Sequence, residues 1–373
     1  MQTKMTTTKS KPWTLGILAL LGALVWLNLS SNVQETRQAT SYAASSQVET
    51  HVAPYERAVT AVMAGFVSDA ASMPLHWIYN ANELSNLVAG RDPAFFSPPA
   101  SKYYDYPLGA QSPYGDEIVS LLQYLARTPG TFSPTDYATE SYKAVKAYTG
   151  RLNGVFRDFI ANVEAGKVYP DLASDHPDTQ GLNKVPLLVA RFAGQEDLVD
   201  IVRAAVKVHQ RPQIAIEVAV AGAIILENII LHGSSPRDAI MSAEKDPRVD
   251  ASVRDIIASV LKDVKSSSDV TAAIETYGKS CPLPGAFHGI LFVLLSDGHL
   301  VSSVQKNIVA GGDNCGRSIY IGAVTAAASG EVPQAWTKTT TRYSEFYPLV
   351  VQLVAKNPSF ESPSIHCTDT KCS

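Results

Sequence analysis

The sequence feature that most constrains the fold is a run of small residues at positions 310–330, which begins with two consecutive glycines after an alanine. The glycines permit a tight turn, and Asp313 follows them directly, where a helix N-cap or a metal ligand would stand. In the helix predicted next, small side chains recur along one face at Ser318, Gly322 and Ala326. A face this bare lets a neighbouring backbone approach closely. The pattern therefore predicts a buried central helix with a carboxylate at its N-terminal tip.

The composition describes a globular protein with a large core. Of the 373 residues, 46% are hydrophobic and 18% are charged, which excludes a largely disordered chain. The formal net charge of -4 gives no reason to expect a nucleic acid as partner. The four cysteines are too few for a disulfide scaffold and form no zinc pattern. The two in the C-terminal tail, Cys367 and Cys372, could pair in an oxidising compartment or remain separate thiols.

The N-terminus has the pattern of a secretory signal. Lys4, Lys9 and Lys11 precede an uncharged run at positions 13–29. As a helix this run would span about 25 Å, slightly less than the ~30 Å hydrocarbon core of a bilayer. Both a cleaved signal peptide and a signal-anchor fit residues 1–29, so we expect a secretory protein that is either secreted or anchored in the membrane. Residues 30–53 are polar and are expected to form a linker.

The rest of the sequence has helical rather than strand patterning. Its most apolar part, at positions 212–233, contains Glu217 and Glu227, which argue for a core helix and against a membrane span. We expect one all-α domain over residues 54–340, followed by a weakly structured tail over residues 341–373.

Three motifs carry a family resemblance. Gly-Gly-Asp-Asn-Cys-Gly-Arg at positions 311–317 resembles the closing motif of the ADP-ribosylglycohydrolase superfamily, and most closely its J-type crystallin-like branch. Ser-Asp-Ala-Ala-Ser-Met-Pro at positions 68–74 is similar to the opening motif, with His76 at the position of the family's acid. Tyr-Gly-Asp-Glu at positions 114–117 resembles the family's Ser/Thr-Asp-Asp-Thr. The resemblance implies a compact orthogonal multi-helix bundle.

The resemblance also implies a magnesium site. In the family, two magnesium ions lie between the tips of two helices, and the corresponding residues here are Asp116, Glu117 and Asp313. Cys315 takes the place of a further aspartate ligand. Magnesium prefers hard oxygen ligands and a thiol is soft. We therefore expect one magnesium ion, or none, rather than two.

Further residues are expected in the same cleft. By the resemblance, the catalytic candidates are Asp116, Glu117 and His76, and the family motifs also contain two substrate-binding candidates, Asp69 and Asn314. Asp178 is a third substrate-binding candidate, because two carboxylates and a histidine within positions 175–178 would suit a substrate cleft. Structural explanations remain open for several of them. A histidine beside a tryptophan is often a packing residue, adjacent carboxylates at a helix start complement the helix dipole, and Asp178 could belong to a capping turn.

Two functions are compatible with these motifs. In the first, the protein hydrolyses an ADP-ribosyl or related glycosidic bond in a small molecule or an ADP-ribosylated substrate, using a degenerate magnesium site. In the second, it is a non-catalytic, crystallin-like protein with a structural or ligand-binding role. The acidic residues favour the first function, whereas the cysteine at position 315 favours the second.

Overall fold

A computed structural model describes residues 52–360, which form helices, turns and isolated backbone bridges, with no named strand in this range. The all-α prediction is therefore confirmed. The helices from the first motif to the middle of the chain are α1 (Pro54–Ser72), α2 (Ala81–Val88), α3 (Pro113–Arg127), α4 (Pro134–Ala147), α5 (Gly154–Glu164), α6 (Gln180–Asn183), α7 (Val185–Phe192), α8 (Leu198–Lys207) and α9 (Gln213–His232). The remaining helices are α10 (Pro236–Ala243), α11 (Ala251–Asp263), α12 (Val270–Tyr277), α13 (Gly285–Ser296), α14 (Leu300–Val309), α15 (Asn314–Ser329), α16 (Gln334–Thr339) and α17 (Tyr343–Val354).

Polar side chains begin the helices that surround the site. The helices α3, α4 and α5 each start at a residue whose side chain accepts a hydrogen bond from a backbone N–H of the first turn, namely Ser112, Ser133 and Asn153. Such N-caps satisfy donors that a helix start would otherwise leave unpaired.

The centre of the fold is the antiparallel pair formed by α1 and α15. All residues of α15 from 314 to 327 are buried, as predicted for the central helix. A Cβ on Gly322 would stand 2.1 Å from Ser68 Oγ and 2.8 Å from the carbonyl oxygen of Ala64. One turn away, the hydroxyl oxygens of Ser72 and Ser318 lie 2.6 Å apart. The small face of α15 therefore packs directly on the α1 backbone.

Two described helices are long and apolar enough to cross a membrane by length and composition alone. They are α1 with the 3-10 turn that extends it to Leu75, and α9. In these segments 94% and 83% of the most apolar window is buried inside the protein. In α9, Glu217 pairs with Arg203 at 3.1 Å. The prediction that α9 is a core helix is confirmed.

The helical packing continues beyond residue 340, where the sequence predicts a weakly structured tail. In α17, Phe346, Val350 and Leu353 are fully buried. The ring of Phe346 stacks on that of Phe66 in α1 at 4.3 Å between centroids. Phe346, Val350 and Leu353 have the spacing of an apolar stripe on one face of a helix. Pro348 lies within the same helix, and a proline there argues against a helix when only the sequence is read. The predictions for residues 1–51 and 361–373 lie outside the described part of the chain.

Candidate functional site

A short backbone bridge ties the glycine turn before α15 to the chain that follows α1. The N–H of Trp77 donates to the carbonyl of Gly312 at 2.9 Å, and the N–H of Gly312 donates to the carbonyl of Ile78 at 2.9 Å. The backbone of Trp77 has a φ of 62°, in the left-handed region that bulky residues rarely adopt. Strain of this kind costs about 1–3 kcal/mol and is concentrated at functional sites. The strained backbone of Trp77 therefore marks the corner around this bridge as a candidate site.

Asp313 is the hub of the site. One of its oxygens, Oδ1, accepts hydrogen bonds from His76 Nε2 at 2.9 Å and from the indole N–H of Trp77 at 3.2 Å. Burial lowers the pKa of His76, so the imidazole is neutral and its Nδ1 accepts from the Tyr104 hydroxyl at 2.7 Å. Burial alone would raise the pKa of Asp313, but the His76 hydrogen bond and nearby positive charge lower it. These directions favour an ionised Asp313 beside a neutral His76 imidazole.

Arg317, one turn into α15, fixes the loop that presents Asp313. This fully buried guanidinium donates to Asn307 Oδ1 at 2.6 Å, to the carbonyl of Gly311 at 2.6 Å and to the carbonyl of Lys279 at 3.2 Å. Arg317 belongs to the closing motif, but the motif alone does not predict that this arginine positions Asp313. The position of Asp313 therefore depends on a buried cation.

Asp69 lies beneath the site and is completely buried. Its carboxylate accepts from the N–H of Ser112 at 2.7 Å and from the hydroxyl of Ser112 at 2.5 Å, at the start of α3. A Cβ on Gly115 would stand 2.2 Å from Asp69 Oδ2. The glycine that replaces the family's hydroxyl residue is therefore needed for this close approach. Asp69, a substrate-binding candidate, anchors α3 to α1 in this structure.

Asp116 faces protein donors on both of its oxygens. Oδ1 accepts from the Arg342 guanidinium at 3.0 Å, and Oδ2 accepts from the Tyr148 hydroxyl at 2.9 Å. Burial raises the pKa of Asp116, although these partners oppose the shift. The sequence gives no sign of either partner, because both come from distant loops. A cavity of about 540 Å³ opens beside Asp116 and is lined in part by Arg342, Tyr148 and Tyr106.

Glu117 is more deeply buried than Asp116, with 5% of its surface exposed. Its Oε1 accepts a hydrogen bond from Asn153 Nδ2, whereas its Oε2 has no hydrogen-bond partner among the described residues. Burial raises the pKa of Glu117 well above its ordinary value, and the positive charge of buried Lys184 partly opposes this shift. Burial in turn lowers the pKa of Lys184 to about 8. Burial therefore favours the protonated form of Glu117, which lies near a buried amine.

The other sequence candidates have mainly structural contacts. Cys315 is fully buried, with Sγ 3.7 Å from the carbonyl oxygen of Asp69. The side chain of Asn314 donates to the carbonyl of Leu75 at 3.1 Å and so holds the 3-10 turn against α15. Asp178 is half-buried, and burial followed by the charge of Asp313 raises its pKa. Of these three, Asp178 is the one with a side chain partly open to solvent.

Aromatic side chains form the exposed edge of the site. Trp77 contacts Tyr103 edge-to-face at 5.2 Å between centroids, and 45% of Tyr103 is exposed. The guanidinium of Arg151 lies 5.2 Å from the Trp77 ring and 5.3 Å from the Tyr103 ring. An aromatic pair with a cation above it can stack on a planar or sugar-bearing ligand. We call Trp77, Tyr103 and Arg151 the aromatic rim.

The predicted metal ligands do not fit the two-magnesium site that the resemblance implies. Across residues 52–360, no group of three or more His, Cys, Asp or Glu side chains is placed to hold a metal ion. Protein donors occupy both oxygens of Asp116 and one oxygen each of Glu117 and Asp313. The thiol of Cys315 lies against the α1 backbone. A hard cation would have to displace these donors.

The burial of Asp69 predicts a pH-dependent stability. Burial raises its pKa from 3.8 to about 7, despite the opposing Ser112 hydrogen bonds. The native state therefore holds this proton more tightly than the unfolded state, and the free energy of unfolding falls as the pH rises from about 4 to 7. In Asp69→Asn, the amide can still accept from the N–H of Ser112 and donate to its hydroxyl oxygen. Relative to wild type, the free energy of unfolding of the variant should rise by roughly 2–4 kcal/mol between pH 4 and pH 8.

Urea unfolding of both proteins across this pH range measures the difference. If the free energies of unfolding of wild type and Asp69→Asn changed with pH in the same way, Asp69 would not titrate in the native state over this range. The comparison between the two proteins cancels the contribution of other carboxyl groups, provided that the substitution does not disturb them.

Comparisons with known proteins agree with this fold and with the family resemblance. A family model for ADP-ribosylglycohydrolase matches residues 50–360. Crystallin J1A and Crystallin J1B of Tripedalia cystophora are each 28% identical to this chain over 314 and 315 residues, covering 80% of the chain and 96% of each relative. A solved structure described as an ADP-ribosylglycohydrolase-related protein complex has a TM-score of 0.64 at 14% identity, covering 82% of this chain and 99% of that one. At that identity the structural likeness shows the fold alone. The chain belongs to the ADP-ribosylglycohydrolase family.

Proposed function

We propose that this protein binds a ribosyl ligand of the ADP-ribose type at the Asp313 site without paired magnesium ions, in a crystallin-like role without turnover. The observation that carries the proposal is the occupation of the acidic oxygens by protein donors: Arg342 and Tyr148 on Asp116, Asn153 on Glu117, and His76 on Asp313. The similarity to two crystallins also favours this role.

The aromatic rim supports recognition of the ligand. Adenine or ribose could stack on the exposed face of Tyr103, and Arg151 is available to a phosphate because it lies at the exposed surface. Below the rim, Asp313 Oδ2 is buried and has no hydrogen-bond partner among the described residues. A ligand hydroxyl reaching this oxygen would satisfy it.

Calorimetric titration with ADP-ribose tests the proposal. We expect the same Kd in chelator and in millimolar magnesium, and Tyr103→Ala should weaken binding about tenfold through lost stacking. The matched control is Tyr347→Ala, because Tyr347 is equally exposed at 45% but lies in α17, outside the rim. Binding that disappears in chelator, or equal effects of the two substitutions, would contradict the proposal.

Hydrolysis of an ADP-ribosyl bond is the second candidate, and one specific observation favours it. Burial favours the protonated form of Glu117, whereas the His76 hydrogen bond and the charge of Arg317 favour the ionised form of Asp313. Two carboxyl groups held in opposite protonation states are the arrangement that acid–base cleavage of a glycosidic bond requires. Release of ADP-ribose from an ADP-ribosylated peptide in chelator, reduced at least a hundredfold by Glu117→Gln, would establish this function. If the protein bound ADP-ribose tightly but released none from the peptide, the first candidate would be favoured.

A further inference from the structure

We infer that Arg342 is a built-in counter-ion that keeps divalent metal ions from binding at Asp116. The inference concerns the metal selectivity of the acidic site and does not depend on which ligand the site binds. It follows from the contacts of Arg342, a residue outside every family motif that the sequence displays.

The guanidinium of Arg342 is held from two sides. Its Nη1 donates to Asp116 Oδ1 at 3.0 Å, while its Nε and Nη2 donate to the two oxygens of Glu345 at 2.8 and 2.6 Å. It also lies 4.5 Å above the ring of Phe346, which is buried in the core. A guanidinium with these contacts is already oriented toward Asp116, so little rotamer entropy is lost when the pair forms.

The second oxygen of Asp116 is also engaged. Tyr148 donates its hydroxyl to Oδ2 at 2.9 Å, and the hydroxyl of Tyr106 lies 3.2 Å from that of Tyr148. With both oxygens accepting hydrogen bonds, Asp116 offers no bare carboxylate to a hard cation. Magnesium gives up its water shell reluctantly and needs near-octahedral oxygen ligands, so it cannot easily displace a fixed guanidinium.

Access does not protect Asp116. The cavity of about 540 Å³ beside it opens to solvent, and the side chains of Asp116 and Arg342 are 20% and 34% exposed. A metal ion could therefore reach the carboxylate, and the charge and hydrogen bonds of Arg342 oppose its binding there. Lys184 provides a second buried positive charge near the neighbouring Glu117.

The test compares three variants with wild type in chelator and in millimolar Mg²⁺ or Mn²⁺. Arg342→Gln removes the charge, Arg342→Lys keeps it, and Glu345→Gln removes only the outer partner of the guanidinium. The thermal midpoint of each protein is measured with and without metal, and bound Mn²⁺ is counted by the loss of the free-ion resonance signal. Because the midpoint of each protein with metal is compared with its own midpoint in chelator, differences in basal stability between the variants do not affect the result.

We expect 10 mM metal to raise the midpoint of Arg342→Gln by about 2–4 °C, as binding of the ion with a Kd near 1 mM would. Wild type, Arg342→Lys and Glu345→Gln should each shift by less than about 1 °C. Metal binding by wild type, or an Arg342→Gln protein as unresponsive as wild type, would overturn the inference. Metal binding by wild type would also argue against the metal-free part of the proposed function, whereas ADP-ribose binding in chelator is measured independently of either result.

Discussion

Replacing Gly322 by leucine should lower the free energy of unfolding by more than the ~1–3 kcal/mol typical of overpacking, and is expected to prevent folding at physiological temperature. Even the first added carbon would stand 2.1 Å from Ser68 Oγ, 2.6 Å from its Cβ and 2.8 Å from the backbone oxygen of Ala64. A side chain can rotate away from a clash, but the α1 backbone can yield only if α1 and α15 separate. Gly322→Ala should have a smaller effect in the same direction.

Denaturant unfolding of Gly322→Ala and soluble yield of Gly322→Leu measure these effects. Ala258→Leu is the matched control, because Ala258 is exposed in the middle of α11. The control should change the free energy of unfolding by less than about 0.5 kcal/mol. A Gly322→Leu protein as stable as this control would disprove the close approach of α1 and α15.

Replacing Arg317 by methionine should cost about 3–5 kcal/mol, as removal of one partner from a buried charged network generally does. The substitution leaves the oxygens of Asn307 and Gly311 without their donor and removes a positive charge that stabilises ionised Asp313. Methionine has a similar length, so the loss reflects hydrogen bonds and charge more than volume. Arg317→Lys should recover only part of the stability, because lysine lacks the planar fork of donors.

The control for this prediction is Arg127→Met. Arg127 also lies in a helix and pairs with a carboxylate, Glu140, at 3.2 Å, but its side chain is 61% exposed. Exposed pairs contribute at most about 1 kcal/mol. If Arg317→Met and Arg127→Met lowered the free energy of unfolding in urea by similar amounts, the Arg317 network would not be the support of the Asp313 loop.

The sequence was informative where short-range chemistry decides the structure. The double glycine, Asp313 and the small helical face are contiguous, so the turn, the helix and its buried position could be predicted together. Glu217 similarly marked α9 as a core helix rather than a membrane span. These predictions needed only backbone conformation and helical periodicity.

The contacts of the acidic residues could not be predicted in this way. Asp116 and Arg342 are separated by 226 positions, and their ion pair depends on how α17 packs against α1 and α3. From sequence, unpaired carboxylates suggest a metal, because nothing nearby shows a competing cation. Gly115 illustrates the same limit: it looks like a lost hydroxyl, whereas its role is to leave room for Asp69.

The pairing of α1 with α15 also has a consequence for biosynthesis. Arg57 in α1 donates to the carbonyl of Ala327 across 270 positions of the chain. At a synthesis rate of about 5–20 residues per second, roughly 14–54 s separate the emergence of these two partners from the ribosome. During that interval the apolar surface of α1 has no native partner in α15 and can associate with other chains. Nascent protein should therefore need a chaperone until the closing motif has been made.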